Sequence, residues 1–478
     1  MGFWQAVASW AESCPNNSAV IAPSGKLTFS QLAGRAHRLA RTLKSYDQQR
    51  IGILTRDPIT MAVGFHGTSL AGKTLVVLDP SWPQALLESM LGNLACKLVI
   101  TDYPNRLDKA GLADPLVISE EPDRSPWELH EHENERELLI ICTSGSTARP
   151  KAISRTAYSW LASLAAGAAM LMAPEEAVTL SPGPISHGLG LYSLIESIHT
   201  GGTFIGAGHW RSEVLDSLLS QVSCNRIVSV PTILDRLSTH LEPQHLSNIR
   251  WVISGGETLP VQLVSRLQAL PALESCIEYF GSSEHSLIAY ALRDTTAKDA
   301  GCFSGRLFPG VSVHFHDVDP DTGSGAAYID SPYNANGYDP ATAPPIARCG
   351  NSTSILDQGM QSDDGTITFM RREDGMLNLN GNNIHPSEIK DVLAILNILD
   401  AKVQVERQNG HARLIVHALS PAVDSGLLHK RFFELLPTFK VPHEIIFHKE
   451  WPLSFSGKST AIWTANAMPE PLTRIRLR

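Results

Sequence analysis

The sequence predicts an α/β protein: a large N-terminal domain of helix-covered, mostly parallel sheets with a small β-rich subdomain, followed by a small α+β C-terminal domain. Three observations lead there. Short β-rich runs alternate with amphipathic helical patterns through the first part of the chain, the signature of parallel sheets covered by helices. Close-set strands with turn signals replace that alternation from about Gly310. A charged segment ending in glycine, "RREDG", then precedes a third pattern, which sets a domain boundary at Asp374.

The strand candidates are "RIGILT", "TLVVLD", "KLVITD", "ELLIICT", "AVTLSP", "GTFIG", "RIVSVP" and "RWVISGG". Each is a short apolar run closed by small or polar residues, as strands buried on both faces are. Between them lie helices such as "SQLAGRAHRLARTL", where Leu32, Ala36, Leu39 and Leu43 share one face and Ser30 can cap the start. "WLASLAAGAAMLMA" reads as a buried helix, since a membrane span needs about 20 apolar residues. "VSVHFHDV", "AAYIDS" and "GTITFM", with turns at "DPDTGSG" and "SDDGT", predict the antiparallel subdomain at about residues 310–373. After "RREDG" come one strand, the helix "HPSEIKDVLAIL", two more strands and another helix. The organisation is thus a core over residues 1–373 and a smaller domain over 374–478.

Composition narrows the function classes. With 478 residues, 43% hydrophobic and 18% charged, the chain can build a large core and more than one domain. A net charge of −9 argues against nucleic acid as partner, since a phosphate-backbone binder carries a basic stripe. Seven scattered cysteines without a C-x-x-C pair predict reduced thiols and a cytoplasmic setting. The opening "MGFWQAVASWAESCP" has neither the basic nor the long apolar region of a signal peptide.

The segment "IICTSGSTARPKAISRT" packs hydroxyl residues, a glycine and a lysine behind an apolar run. Hydroxyls, exposed backbone N–H groups and an ammonium are the donors that wrap phosphate oxygens. It is no Walker loop, because Pro150 stands where the motif needs glycine, and "SFSGKST" fails likewise at Pro452. By itself the loop reads better as a polar turn between a strand and a helix.

Taken in order, "TSGSTARPK", "YFGSSE", "GNNIHPSEI" and "PLSFSGK" resemble the motifs of the adenylate-forming superfamily: acyl- and aryl-CoA synthetases, adenylation domains and firefly-type luciferases. The similarity extends from "LTFSQLAGRAHRLARTL" to "LPTFKVPHEIIFHKEWPLSFSGK". The resemblance implies an adenylation core, a mobile C-terminal domain and use of ATP with Mg2+.

It also implies roles for particular residues. Thr143, Ser144, Gly145, Ser146, Thr147 and Lys151 would form the phosphate loop, with Ala148 and Ala152 in place of the usual glycines. Gly255, Gly256 and Glu257 would line the adenine, Phe280 would stack on it, and Ser283 would supply the neighbouring hydroxyl. Glu284 is the metal candidate, because Mg2+ keeps waters and takes only one or two carboxylates. Asp357 would hold the ribose hydroxyls, although Ile355 and Leu356 replace the usual Thr-Gly before it. Arg372 matches the arginine of a Gly-Arg pair whose glycine is here Arg371. Asp374 falls at the hinge and Gly381 at the thiol tunnel.

Lys458 would be the catalytic lysine, its ammonium lowering the repulsion between a carboxylate and the α-phosphate of ATP. His187 in "GPISHGLGL" is similar to the histidine of aryl- and fatty-acyl-CoA ligases, and the sequence offers no aspartate there to hold a substrate ammonium. The resemblance therefore implies a carboxylic acid substrate without an α-amino group. The acceptor would be the thiol of CoA or the phosphopantetheine arm of a separate carrier protein. "GLGLYSLIES" and "HSLIAY" suggest an apolar cavity for an aryl or aliphatic acid. A luciferase-like oxidase and a non-catalytic nucleotide-binding relative stay open as alternatives.

Overall fold

The computed structural model describes the chain except for residues 109–112, 122, 124–134, 144–149, 209–211, 295–301, 321, 371–376, 380–381, 385, 399, 409–410, 420–423 and 449–471. Its contacts separate into two compact units: a larger one built mainly from the chain before Asp374, and a smaller one built mainly from the chain after Glu373.

In the larger unit every predicted parallel strand forms. One sheet of seven strands carries Arg50–Leu54, Thr74–Leu78, Leu98–Thr101 and Glu137–Thr143 in parallel, then turns antiparallel at Lys151–Thr156 and Gly337–Tyr338. A second sheet of fifteen strands runs parallel through Val178–Leu180, Arg226–Ser229, Trp251–Gly255 and Ser275–Ser282. These strands are short, apolar and almost wholly buried, as a sheet covered on both faces requires.

Helices supply the cover. Phe29–Lys44 buries Leu32, Ala36, Leu39 and Leu43 as the spacing predicts. Its cap is Thr28 rather than Ser30: the Thr28 hydroxyl accepts from Gln31 N, while the Gln31 side chain accepts from Thr28 N at 2.9 Å. A capping box satisfies two helix-end donors, which Ser30, already inside the first turn, could not do. Ala157–Met170 is the helix predicted from "WLASLAAGAAMLMA", and among the described residues no helix is long and apolar enough to cross a membrane.

The antiparallel strands expected from Gly310 do form, but they continue the large sheet. Ser286–Leu292 pairs antiparallel with Ser275–Ser282 and with Phe303–Leu307, which in turn pairs with Ile367–Phe369. The change of direction thus begins before Gly310, and a small core of Ile288, Phe303, Val313, Ile329, Ile367 and Phe369 forms on this part of the sheet.

The smaller unit opens with a hairpin, Leu377–Leu379 against Asn382–Ile384, where the sequence predicted one strand. The helix Pro386–Ile395 follows, then Asp400–Gln408, His411–Leu419, the helix Ser425–Leu435, and two further strands that the sequence did not predict, Glu444–His448 and Thr473–Arg476. These four strands make one sheet. Beneath it Lys440 and Glu388, both almost fully buried, form an ion pair.

Candidate active site

The phosphate-loop candidate leaves the strand Glu137–Thr143, whose Leu138 to Ile141 are buried, and returns in Lys151–Thr156. Thr143 and Lys151 are register partners at the open end of this antiparallel pair. The segment therefore joins two strands, not a strand and a helix, and the helix begins only after Thr156, whose hydroxyl accepts from Ser159 N at 3.1 Å. Ser144, Gly145, Ser146 and Thr147 lie outside the described residues.

Glu284 sits on the tight connection between Ser275–Ser282 and Ser286–Leu292. One bond within the turn and one to a distant strand fix it. The Ser282 hydroxyl accepts from His285 N at 3.1 Å, and His285 Nε2 lies 3.0 Å from the Thr353 hydroxyl. The Arg155 guanidinium, 1% exposed, donates to the Ser283 carbonyl at 2.7 Å and to the Tyr333 carbonyl. Burial pulls the Arg155 pKa down to about 10, with the Glu284 charge acting in the opposite direction.

Residues 333–342 stitch the two parts together. Ala335 N donates to the Glu284 carbonyl at 2.7 Å, Asn336 N to the Ser154 carbonyl and Asp339 N to the Ala152 carbonyl. Between these anchors the Tyr338 hydroxyl donates to Glu284 Oε1 at 2.8 Å, and the Lys151 ammonium lies 5.0 Å from the Tyr338 ring centroid. The lysine after the loop and the metal candidate are thereby brought to one place.

His187 precedes the helix Gly188–His199 in extended backbone, and a Cβ built on Gly188 would come 3.4 Å from the Ser283 hydroxyl. That helix start therefore adjoins the Glu284 turn. His187 Nε2 is 2.9 Å from Asp79 Oδ2, a carboxylate that corrects the expectation of none near this position. The cavity expected behind His187 also carries buried polarity. Tyr192 donates to the Ser163 carbonyl, and Glu196 accepts from Arg226 at 2.7 Å with both side chains buried.

Gly255 ends the strand Trp251–Gly255 opposite Tyr279, whose ring lies where a Cβ on Gly255 would be, 2.5 Å away. Gly256 has φ +86°, the left-handed region glycine enters without strain. The Glu257 carboxylate is 3.5 Å from the Thr232 hydroxyl. Phe280 packs flat on Phe369, with centroids 4.0 Å apart and planes 9° from parallel, so one ring face is already covered. Asp357 is 5% exposed, and its carbonyl accepts from Ala327 N. Arg372, Asp374, Gly381 and Lys458 lie outside the described residues.

Sequence reasoning missed Asp79, Arg155 and Tyr338. A polar residue in an alternating strand such as "KAISRT" reads as solvent-facing, and only the fold buries Arg155. Among the described residues no group of three or more His, Cys, Asp or Glu could hold a metal. A cation here would share Glu284 with ligand oxygens and water, an arrangement that suits Mg2+ better than Ca2+ or Zn2+.

A family model described as AMP-binding enzyme matches residues 7–339. Tyrocidine synthase 2 of Brevibacillus parabrevis is 26% identical over 96% of this chain, which spans only 13% of that protein's length. VraA of Staphylococcus aureus (strain COL), whose name proposes a long chain fatty acid-CoA ligase, is 25% identical over 93% of both chains. A double mutant of o-succinylbenzoate CoA synthetase from Bacillus subtilis, bound with a product analogue, shares the fold with a TM-score of 0.80. It is 19% identical and covers 96% of this chain and 97% of that one.

Proposed function

The chain belongs to the AMP-binding enzyme family of the adenylate-forming superfamily, and from that premise we propose that it is an ATP-dependent acid–thiol ligase, with CoA as its acceptor. A carboxylate oxygen attacks the α-phosphorus of ATP, the bond to the β-phosphate oxygen breaks and pyrophosphate leaves. The thiol sulfur then attacks the acyl carbonyl carbon, its proton passes to solvent and AMP leaves with the ester oxygen. The first step gives the carboxylate a leaving group that it otherwise lacks.

The observation that carries this reading is the meeting of Lys151 and Glu284 at Tyr338, beside Ser283 and the start of the helix Gly188–His199. Lys151, Thr143 and residues 144–147 would hold the β- and γ-phosphates, and Glu284 would hold Mg2+, which neutralises phosphate charge when bound. Gly255, Gly256, Glu257 and Phe280 would receive adenine, Asp357 the ribose, and His187 the acid. In this reading Lys458 acts in adenylation, the smaller domain turns about Asp374 with Arg372 beside it, and Gly381 lines the thiol tunnel. The aryl or aliphatic acid class and a cytoplasmic setting belong to the same proposal, the free cysteines supporting the latter; so does the absence of an α-amino group from the substrate, because the Asp79 carboxylate near this position is engaged by His187.

A second acceptor, the phosphopantetheine of a separate carrier protein, presents the same kind of thiol arm as CoA. ATP–pyrophosphate exchange across a panel of carboxylic acids tests the first half-reaction, and no exchange with any acid would overturn the ligase reading. Thioester formation with free CoA against a phosphopantetheinylated carrier then separates the acceptors.

A further inference from the structure

Lys151 and Glu284 stand on different strands' ends, yet one side chain touches both. The Tyr338 ring faces the Lys151 ammonium, and the Tyr338 hydroxyl donates to Glu284 Oε1. Among the described residues neither Lys151 nor Glu284 has an ion-pair partner. One side chain thus serves both charges, its ring the ammonium and its hydroxyl the carboxylate.

We infer that Tyr338 is a positioning residue: it holds Lys151 by its ring face and Glu284 by its hydroxyl, so that both charges are kept unpaired and presented to one magnesium–triphosphate ligand. The inference rests on the ligase reading and adds to it a residue that never touches the ligand.

The backbone makes Tyr338 suited to this. Gly337 and Tyr338 pair with Ser154 and Ile153, on the strand that begins at Lys151. Three residues earlier Ala335 N is bonded to the Glu284 carbonyl, and one residue later the Asp339 carboxylate accepts from Arg50 at 2.7 Å. Tyr338 is therefore fixed by backbone bonds to the lysine's strand and to the glutamate's turn. Gly337 has φ +137° with nothing within 4 Å of a built Cβ, so glycine is needed there for conformation, not for space.

The two contacts differ in strength in a useful way. A cation–π contact is weak at a partly exposed site, so the ring can orient Lys151 and still release it to a phosphate oxygen. A hydroxyl bonded to a carboxylate is a stronger, charge-assisted contact. It engages Oε1 and leaves Oε2 for a hydrated cation.

The test is calorimetric titration of ATP into the full-length protein, in EDTA and over a series of MgCl2 concentrations, for wild type, Tyr338→Phe and Tyr338→Leu. Tyr338→Phe keeps the ring and loses the hydroxyl. It should raise the Mg2+ concentration that half-maximally strengthens ATP binding by about tenfold, while ATP affinity in EDTA stays within about twofold. Tyr338→Leu should lose affinity in EDTA as well, because Lys151 is no longer oriented. In pyrophosphate release, KM for MgATP should rise in Tyr338→Phe with kcat little changed. An unchanged Mg2+ dependence in Tyr338→Phe, or an equal loss with and without Mg2+, would overturn the inference alone. Wild-type protein that binds no ATP would instead overturn the ligase reading, and the inference with it.

Discussion

Nε2 of His187 stands 2.9 Å from a carboxylate oxygen of Asp79, across 108 positions of sequence. Asp79 follows the buried strand Thr74–Leu78, and His187 precedes the helix Gly188–His199, so each side chain is aimed by a rigid element. A carboxylate bonded to a ring nitrogen fixes the imidazole's orientation beside the start of that helix. The nearby helix start offers backbone N–H groups and a favourable dipole to an anion.

Asp79→Asn keeps the shape and removes the charge. If the pair orients the acid substrate, kcat/KM for the acid falls about tenfold, the loss typical of a hydrogen bond to a charged group, while KM for ATP stays within about twofold. Steady-state pyrophosphate release, with each substrate varied in turn, measures both. An equal rise in the KM for ATP would place His187 at the nucleotide end instead.

The parallel strands were legible because a strand buried on both faces needs a continuous apolar run, and "RWVISGG" or "TLVVLD" admits few other readings. The order of the motifs pointed to Lys151 and Glu284, and the fold brings both to Tyr338. What the sequence hid is long-range. Nothing local to "NGYDP" points to a partner 54 positions away, yet Tyr338 bonds to Glu284. The joining of the antiparallel strands to the large sheet rests on pairs such as Ala289 with Leu307, which periodicity cannot register. The helix start was misread locally: Thr28 and Ser30 both carry hydroxyls, and only Gln31 at the third helical position singles out Thr28.

Leu356 has φ +64° with its side chain 58% exposed, at the position where the resemblance implies glycine. Its backbone lies in the left-handed region that favours glycine. An L side chain there is strained by about 1–2 kcal/mol, and the greater freedom of glycine in the unfolded chain offsets part of that. Leu356→Gly should therefore stabilise the larger unit by about 0.5–1 kcal/mol, read as a small rise in the thermal midpoint. A fall would mean that Leu356 makes contacts worth more than the strain.

Within the smaller unit the Lys440 ammonium and the Glu388 carboxylate are 2% and 0% exposed. Removing one partner of a buried ion pair typically costs about 3–5 kcal/mol, whereas apolar replacement of both is often close to neutral. Glu388→Leu alone should lower the urea midpoint of this unit more than Glu388→Leu combined with Lys440→Met. Additive losses would show that each residue is held chiefly by other contacts.

His66 is 1% exposed, and neither ring nitrogen has a hydrogen-bond partner among the described residues. Burial, with the neighbouring His199 adding to it, pushes its pKa from 6.5 down to about 3. Between those values the unfolded chain binds a proton that the folded protein does not. Stability therefore rises with pH across this window and is lost as pH falls below about 6.5, by up to about 1.4 kcal/mol per pH unit from this one group. His66→Leu removes both the titration and two unpartnered buried nitrogens, and leaving such a group unpaired typically costs about 1–3 kcal/mol. Urea unfolding at pH 7 and pH 5 should give the variant a higher midpoint at both, with the larger gain at pH 5. Equal gains at the two pH values would mean that His66 is neutral in the unfolded chain as well, or that it takes up its proton in the folded state through local opening.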